Sequence, residues 1–197
     1  MVRLLGSTRE VILDAARTGL LTQGYAGLST RKVAEGAEVP LSQLHYHFGG
    51  KQQLILCVLA RENERLVERQ TRMYGEGRPL WQRYEQACDF LDDDLASGYV
   101  RVLQEMIAAG WTNDAIAVEV RRLLQGWFEL LTTVLGEAQG QGLRLGPFEP
   151  REVATLLGLQ AMGAESLLLL GLESETIPVR TALRRMGDLL RQAEGES

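Results

Sequence analysis

Two cysteines and two histidines in 197 residues leave little material for thiol or metal chemistry. Cys57 and Cys88 show no CxxC spacing and sit in helix-patterned stretches, so free thiols of a reducing compartment are expected, a single disulfide being the alternative. Aromatic residues are 6% of the chain and prolines number five, and no alternating apolar and polar run long enough for a strand occurs, which argues against a β architecture. A Gly-rich phosphate loop, GxSxG, HExxH and a dinucleotide fingerprint are all missing, so no ready catalytic or cofactor motif is offered. No cofactor and no enzymatic activity are expected.

What is present is core material and uneven charge. Hydrophobic residues make up 45% of the chain, enough for it to fold by itself. The net charge is −5, yet residues 1–54 hold six Lys and Arg against four Asp and Glu, while residues 55–197 hold fifteen against twenty-two. A polyanionic partner would therefore meet the N-terminal end. MVRLLGSTRE lacks the apolar core of an export signal, and the expected location is the cytoplasm. One stretch, residues 153–172, has the length to cross a bilayer, but it contains Gln160 and Glu165 and is flanked by Glu152 and Glu173. A helix buried on nearly every side accounts for it better.

Helical punctuation runs from end to end, so the fold class is all-α. Ser7 and Glu10 have capping-box spacing, and Ile12, Ala15, Ala16 and Leu20 recur on one face until Gly24, giving a helix over 8–23. Ser29 is the natural N-cap of a short helix that buries Val33 and Ala34 and ends near Gly36. Another short helix follows Val39-Pro40, because proline is tolerated only in a first turn. Lys51 opens a long helix over 51–73, broken by Gly75 to Pro79, and further helices are expected at 79–96, 99–110, 113–138, 150–171 and 177–193.

Both histidines fall in one short stretch, QLHYHFGGK at 43–51. His-x-His ligates a metal from a strand, but Leu44 and Phe48, four apart and apolar, indicate a helix, on which His45 and His47 point about 200° apart. They cannot converge on one ion, and no cysteine or carboxylate cluster nearby completes a site. As general bases they lack a positioned nucleophile. The plain alternative is that both are polar surface of a packed helix.

The neighbourhood favours another use. Two short helices joined by EGAEVP, preceded by a longer helix and followed by a glycine pair and a lysine, have the dimensions of a helix-turn-helix. Thr30, Arg31 and Lys32 open the first of them, and Ser42, Gln43, His45, Tyr46 and His47 line the second. Lys51 stands at the next helix start, where backbone amides also favour phosphate.

LSTRKVAEGAEVPLSQLHYHFGGKQQL, residues 28–54, resembles the DNA-binding signature of the tetracycline-repressor (TetR) family of bacterial transcriptional regulators. The resemblance rests on Ser29, Thr30, Val33, Ala34, Ala37, Val39, Leu44, His47, Phe48 and Lys51, and on a first helix, REVILDAARTGLLTQGY, similar to the family's. It implies a three-helix helix-turn-helix DNA-binding domain over 1–54 and a larger helical effector-binding and dimerisation domain over 55–197. Carried over by position, it puts Thr30, Arg31, Leu41, Ser42, Gln43 and His45 near base edges, and Ser29, Tyr46, His47 and Lys51 on phosphates. Leu44 and Phe48 belong to the core. Three departures stand out. Glu38 replaces the usual turn glycine, which either costs roughly 1 kcal/mol in a left-handed conformation or gives the turn a different shape. Pro40 replaces the serine cap, and His45 replaces a tyrosine, leaving open whether it reads a base, holds a phosphate or does neither.

The resemblance further implies a homodimer through the last two helices, a palindromic double-stranded DNA operator and a small-molecule effector. Small Gly158, Ala161, Gly163 and Ala164 permit close helix approach, and Val179, Leu183, Met186, Leu189 and Leu190 form a stripe, so a four-helix contact across a two-fold axis is expected. For an effector pocket the candidates are Trp81, Tyr84, Cys88, Met106, Trp111, Trp127, Phe128 and Met162, with Glu105 and Glu165 as polar anchors, although each is also ordinary core material. A repressor released by a mainly apolar or aromatic ligand is the expectation. The alternative is a DNA-binding dimer without an effector that acts through C-terminal protein contacts.

Overall fold

The computed structural model describes residues 7–75 and 77–195; the export reading of residues 1–6 lies outside them. Nine α-helices and no strand occur among the described residues: α1 (Thr8–Gly27), α2 (Thr30–Gly36), α3 (Leu41–Phe48), α4 (Lys51–Tyr74), α5 (Leu80–Ser97), α6 (Tyr99–Gly110), α7 (Asp114–Gly140), α8 (Pro150–Leu169) and α9 (Val179–Ala193). Among the same residues, no helix is long and apolar enough to cross a membrane. The chain condenses into two compact units, residues 1–64 with 97–120 and residues 65–96 with 121–197. Helices α4 and α7 each contribute residues to both.

In the first unit, Ile12, Leu13, Ala16 and Leu20 of α1 meet Leu44 and Phe48 of α3, Leu54, Ile55, Val58 and Leu59 of α4, and Met106 of α6 as buried core. The expected capping box at the start of α1 does not form. Ser7 caps through its backbone carbonyl, which accepts from the amides of Glu10 and Val11, with no side-chain bond. At the other end, Gly24 leaves the helical conformation at φ +76°, and a single turn carries α1 on to Gly27. A β-carbon on Gly24 would stand 2.6 Å from Glu105 Oε1, so the site needs glycine for both conformation and space. Glu105 in turn accepts from the freed Tyr25 amide at 2.5 Å, and Arg101 donates to the Leu21 carbonyl at 2.7 Å. These bonds dock the end of α1 on α6.

The second unit packs α5, α8 and α9 with the C-terminal part of α4 and most of α7. Its buried cluster includes Met73, Tyr74, Leu80, Leu131, Val134, Leu135, Ala154 and Leu190, and a smaller one joins Ala164, Val179 and Leu183. The small residues expected along one contact face of α8 divide. Gly158 is buried, with Phe128 where its β-carbon would be, and Ala164 is buried under α9, whereas Gly163 is exposed. The α9 stripe divides as well: Val179, Leu183 and Leu190 are buried, and Leu189 faces outward. A ladder of ion pairs, Arg180 with Asp92 at 2.8 Å, Arg184 with Asp89 at 2.5 Å and Arg191 with Glu85 at 3.5 Å, ties α9 to α5.

Candidate nucleic-acid interface

The α2–α3 pair begins with Ser29, whose hydroxyl accepts from the Lys32 amide at 3.5 Å and so caps α2. Thr30 is half-buried beside it, and Arg31 and Lys32 are exposed. Glu38 makes the turn in the left-handed conformation at φ +56°, the one described non-glycine residue to do so. Pro40 supplies no side-chain cap; its fixed φ of −58° leads into α3, and its carbonyl accepts from the Gln43 amide at 2.9 Å.

Leu44 and Phe48 are fully covered, as their four-residue spacing requires, which turns the opposite side of α3 to solvent. Ser42, Gln43, His45 and Tyr46 are exposed there, Tyr46 at 82%, while Leu41 and His47 are half-buried. The Tyr46 and His47 rings meet edge to face with centroids 5.1 Å apart. Lys51 reaches across to the Ala26 carbonyl at 3.1 Å and lies 5.4 Å from the Tyr25 ring centroid, so its ammonium is positioned before any ligand arrives.

His45 is tied to the end of its own helix. Its carbonyl accepts from the Gly49 amide at 2.8 Å, and its Nδ1 lies 3.3 Å from the Gly49 carbonyl. A carbonyl can only accept, so Nδ1 is the donor in this contact. Among the described residues, no group of three or more His, Cys, Asp and Glu is placed to hold a metal ion.

The exposed donors of a two-helix reader therefore sit on one unit, and the same segment is matched by a family model: residues 12–58 fit the bacterial regulatory proteins, tetR family. Over those residues the chain carries the TetR-family signature. A DNA-binding transcriptional regulator is what that match supports. No curated protein matches its sequence. Among solved structures, it is similar to a TetR transcription regulator from Haloarcula marismortui, at 18% identity and a TM-score of 0.77 over 98% of this chain and 99% of that one. It also resembles a TetR-family regulator from Agrobacterium tumefaciens, at 17% identity and 0.73 over 93% and 97%. A third likeness is to the regulator FadR of Bacillus subtilis in complex with stearoyl-CoA, at 13% and 0.72 over 90% and 96%. At these identities the likeness is one of fold.

The ten positions expected around an effector are divided between the two units. Glu105, Met106 and Trp111 fall in the first unit. Glu105 is the acceptor for the Tyr25 amide, Met106 is fully buried core, and Trp111 is 81% exposed in the turn after α6. The others lie in the second unit, where Trp81, Tyr84 and Trp127 pack on the larger cluster and Cys88 on the smaller. Phe128 covers Gly158, and Met162 and Glu165 are half-buried on α8. Helical spacing identified these side chains, Trp111 apart, as inward or half-inward but could not say which inner face they share.

A cavity of about 10 Å³ lies in the second unit among Tyr74, Leu80, Tyr84, Leu131, Val134, Leu135, Leu157 and Leu190. That is room for about one water molecule. Tyr84 alone of the ten candidates lines it. Its hydroxyl donates to the Leu183 carbonyl at 3.0 Å and accepts from Gln160 Nε2 at 3.4 Å. Burial drives the Tyr84 phenol well above its ordinary value and pushes that of Tyr74 up to about 12. Burial also raises the Cys88 thiol, leaving it a poor nucleophile. The residue that sequence reasoning missed is Arg83, one position before Tyr84 and buried. Nothing in helical spacing distinguishes it from the chain's many surface arginines.

Proposed function

We propose that this protein is a homodimeric TetR-family repressor whose residues 1–54 read a palindromic operator and whose residues 55–197 dimerise and take a small, mainly apolar ligand that releases the DNA. The observation that carries the DNA reading is the exposed side of α3, where a buried Leu44–Phe48 pair holds Ser42, Gln43 and His45 outward beside Arg31. Thr30, Arg31, Leu41, Ser42, Gln43 and His45 are assigned to base edges, with Arg31 suited to guanine and Gln43 to adenine. Ser29, Tyr46, His47 and Lys51 are assigned to the backbone.

Dimerisation is supported by apolar surface on the last two helices. Leu156, Leu159 and Gly163 of α8 are exposed at three- and four-residue spacing, and Leu189 of α9 is 56% exposed. A second copy covering this surface would present two recognition helices to half-sites about 34–36 Å apart or a multiple of that. FadR of Bacillus subtilis, a structural neighbour, carries stearoyl-CoA, which lends support to a ligand-responsive second unit here.

The small size of the cavity in the second unit favours one further reading, a DNA-bound dimer with no effector that acts through C-terminal protein contacts. Selection of bound fragments from random duplexes tests the common part of both: a two-fold symmetric site is expected, and recovery of no enriched sequence would overturn it. Thermal melting against a broad ligand panel separates the two, since only a ligand-binding protein gains stability from a panel member.

A further inference from the structure

Among the described residues, the second unit buries one arginine that no carboxylate neutralises. Arg83 is 9% exposed, and its Nη1 donates to the carbonyl of Tyr74, the last residue of α4. Its Nε is buried without a partner, and no carboxylate of a described residue pairs with it. The unit does not lack carboxylates. Arg69, Arg180, Arg184 and Arg191 each meet one, and each has a side chain between 30% and 50% exposed. The most deeply buried of these five arginines is thus the one left without an acid, although burial is where an unpaired charge costs most.

Its place gives the charge a use. Leu80, Arg83 and Tyr84 share one face of α5, since residues three and four apart on a helix are neighbours. Leu80 and Tyr84 line the small cavity, as does Tyr74, whose carbonyl Arg83 holds. The remaining walls are Leu131, Val134, Leu135, Leu157 and Leu190, from α7, α8 and α9. An apolar space therefore has a guanidinium on the same helix face, and the guanidinium retains donors suited to a planar anion.

We infer that the effector is an amphipathic anion, a carboxylate on a hydrocarbon body, held by Arg83 at the head and by the Leu80–Leu131–Leu157–Leu190 walls along the tail. This rests on the ligand-responsive reading above. The cavity admits only about one water as it stands, so binding requires those walls to separate. They come from four of the unit's helices, and the rearrangement is the signal.

Thermal melting and operator binding of the full-length protein with decanoate, decan-1-ol and decylamine, each below its aggregation threshold, test the inference without any mutation. Decanoate is expected to raise the melting temperature and weaken operator binding at least tenfold more effectively than the alcohol or the amine. In Arg83→Lys, which keeps the charge but loses the planar fork, decanoate affinity should fall about tenfold; in Arg83→Gln, it should fall to that of the alcohol. Equal responses to acid and alcohol would overturn the anionic anchor while leaving an apolar effector standing. Unchanged decanoate affinity in a folded Arg83→Gln would overturn the assignment to Arg83. If none of the three probes shifts the melt, the inference falls, and a broader panel then decides whether the ligand reading falls with it.

Discussion

The two units place their polar and apolar groups in opposite ways. The first keeps an apolar interior and turns its donors outward along α2 and α3; its buried acid, Glu62, is matched by Arg17 at 2.8 Å. The second exposes leucines on α8 and α9 and keeps Arg83, Tyr74 and Tyr84 inside, with no carboxylate of a described residue paired to Arg83. A surface rich in donors suits a polyanion that stays in water, and an apolar surface suits a partner that excludes it. The contrast assigns DNA to one unit and, in our proposal, a second copy and a ligand to the other.

Breaking the apolar surface should have the largest effect. Leu159→Glu is expected to abolish the dimer, because each two-fold contact would bury two carboxylates; sedimentation should show a monomer, and an unchanged dimer would remove α8 from the proposed interface. Next comes the first unit's docking of α1 on α6. Gly98 has φ +84°, and a β-carbon there would stand 2.3 Å from the Leu21 carbonyl oxygen. Gly98→Ala should therefore lose about 3 kcal/mol, combining left-handed strain with overpacking. A thermal melt lowered by less than a few degrees would show that the α1–α6 contact yields.

The donor surface is sharpened by two substitutions with different signatures. Arg31→Ala should cost about 1–3 kcal/mol on the preferred operator and little on unrelated DNA, measured by competition binding. Lys51→Ala should weaken all sequences alike and flatten the salt dependence by about one unit. Identical behaviour of the two variants would erase the distinction between base and phosphate contacts. The smallest effect concerns the turn alone: Glu38→Gly should stabilise the chain by about 1 kcal/mol with operator affinity unchanged, since only the backbone conformation is relieved.

Local chemistry made much of this molecule legible in advance. Ser29 caps α2, the glycine pair separates α3 from α4, and Glu38 takes the left-handed conformation, one of the two alternatives its substitution for glycine left open. The exposure of Ser42, Gln43, His45 and Tyr46 follows from the four-residue spacing of Leu44 and Phe48, which needs no tertiary information. Ser7 shows the limit even for caps, because capping spacing permits a side-chain bond and the backbone carbonyl made it instead.

The sequence by itself determined the helices, their order and the outward face of the reader, since each depends on residues three or four positions apart. Only the tertiary structure decided which apolar side of α8 is covered, that Glu105 serves Tyr25, and that Arg83 is enclosed with no carboxylate of a described residue beside it. Those outcomes depend on residues brought together from distant parts of the chain. Periodicity tells a helix which side to bury, but on a helix apolar nearly all round, or for one arginine among many, the partner alone settles what the side chain does.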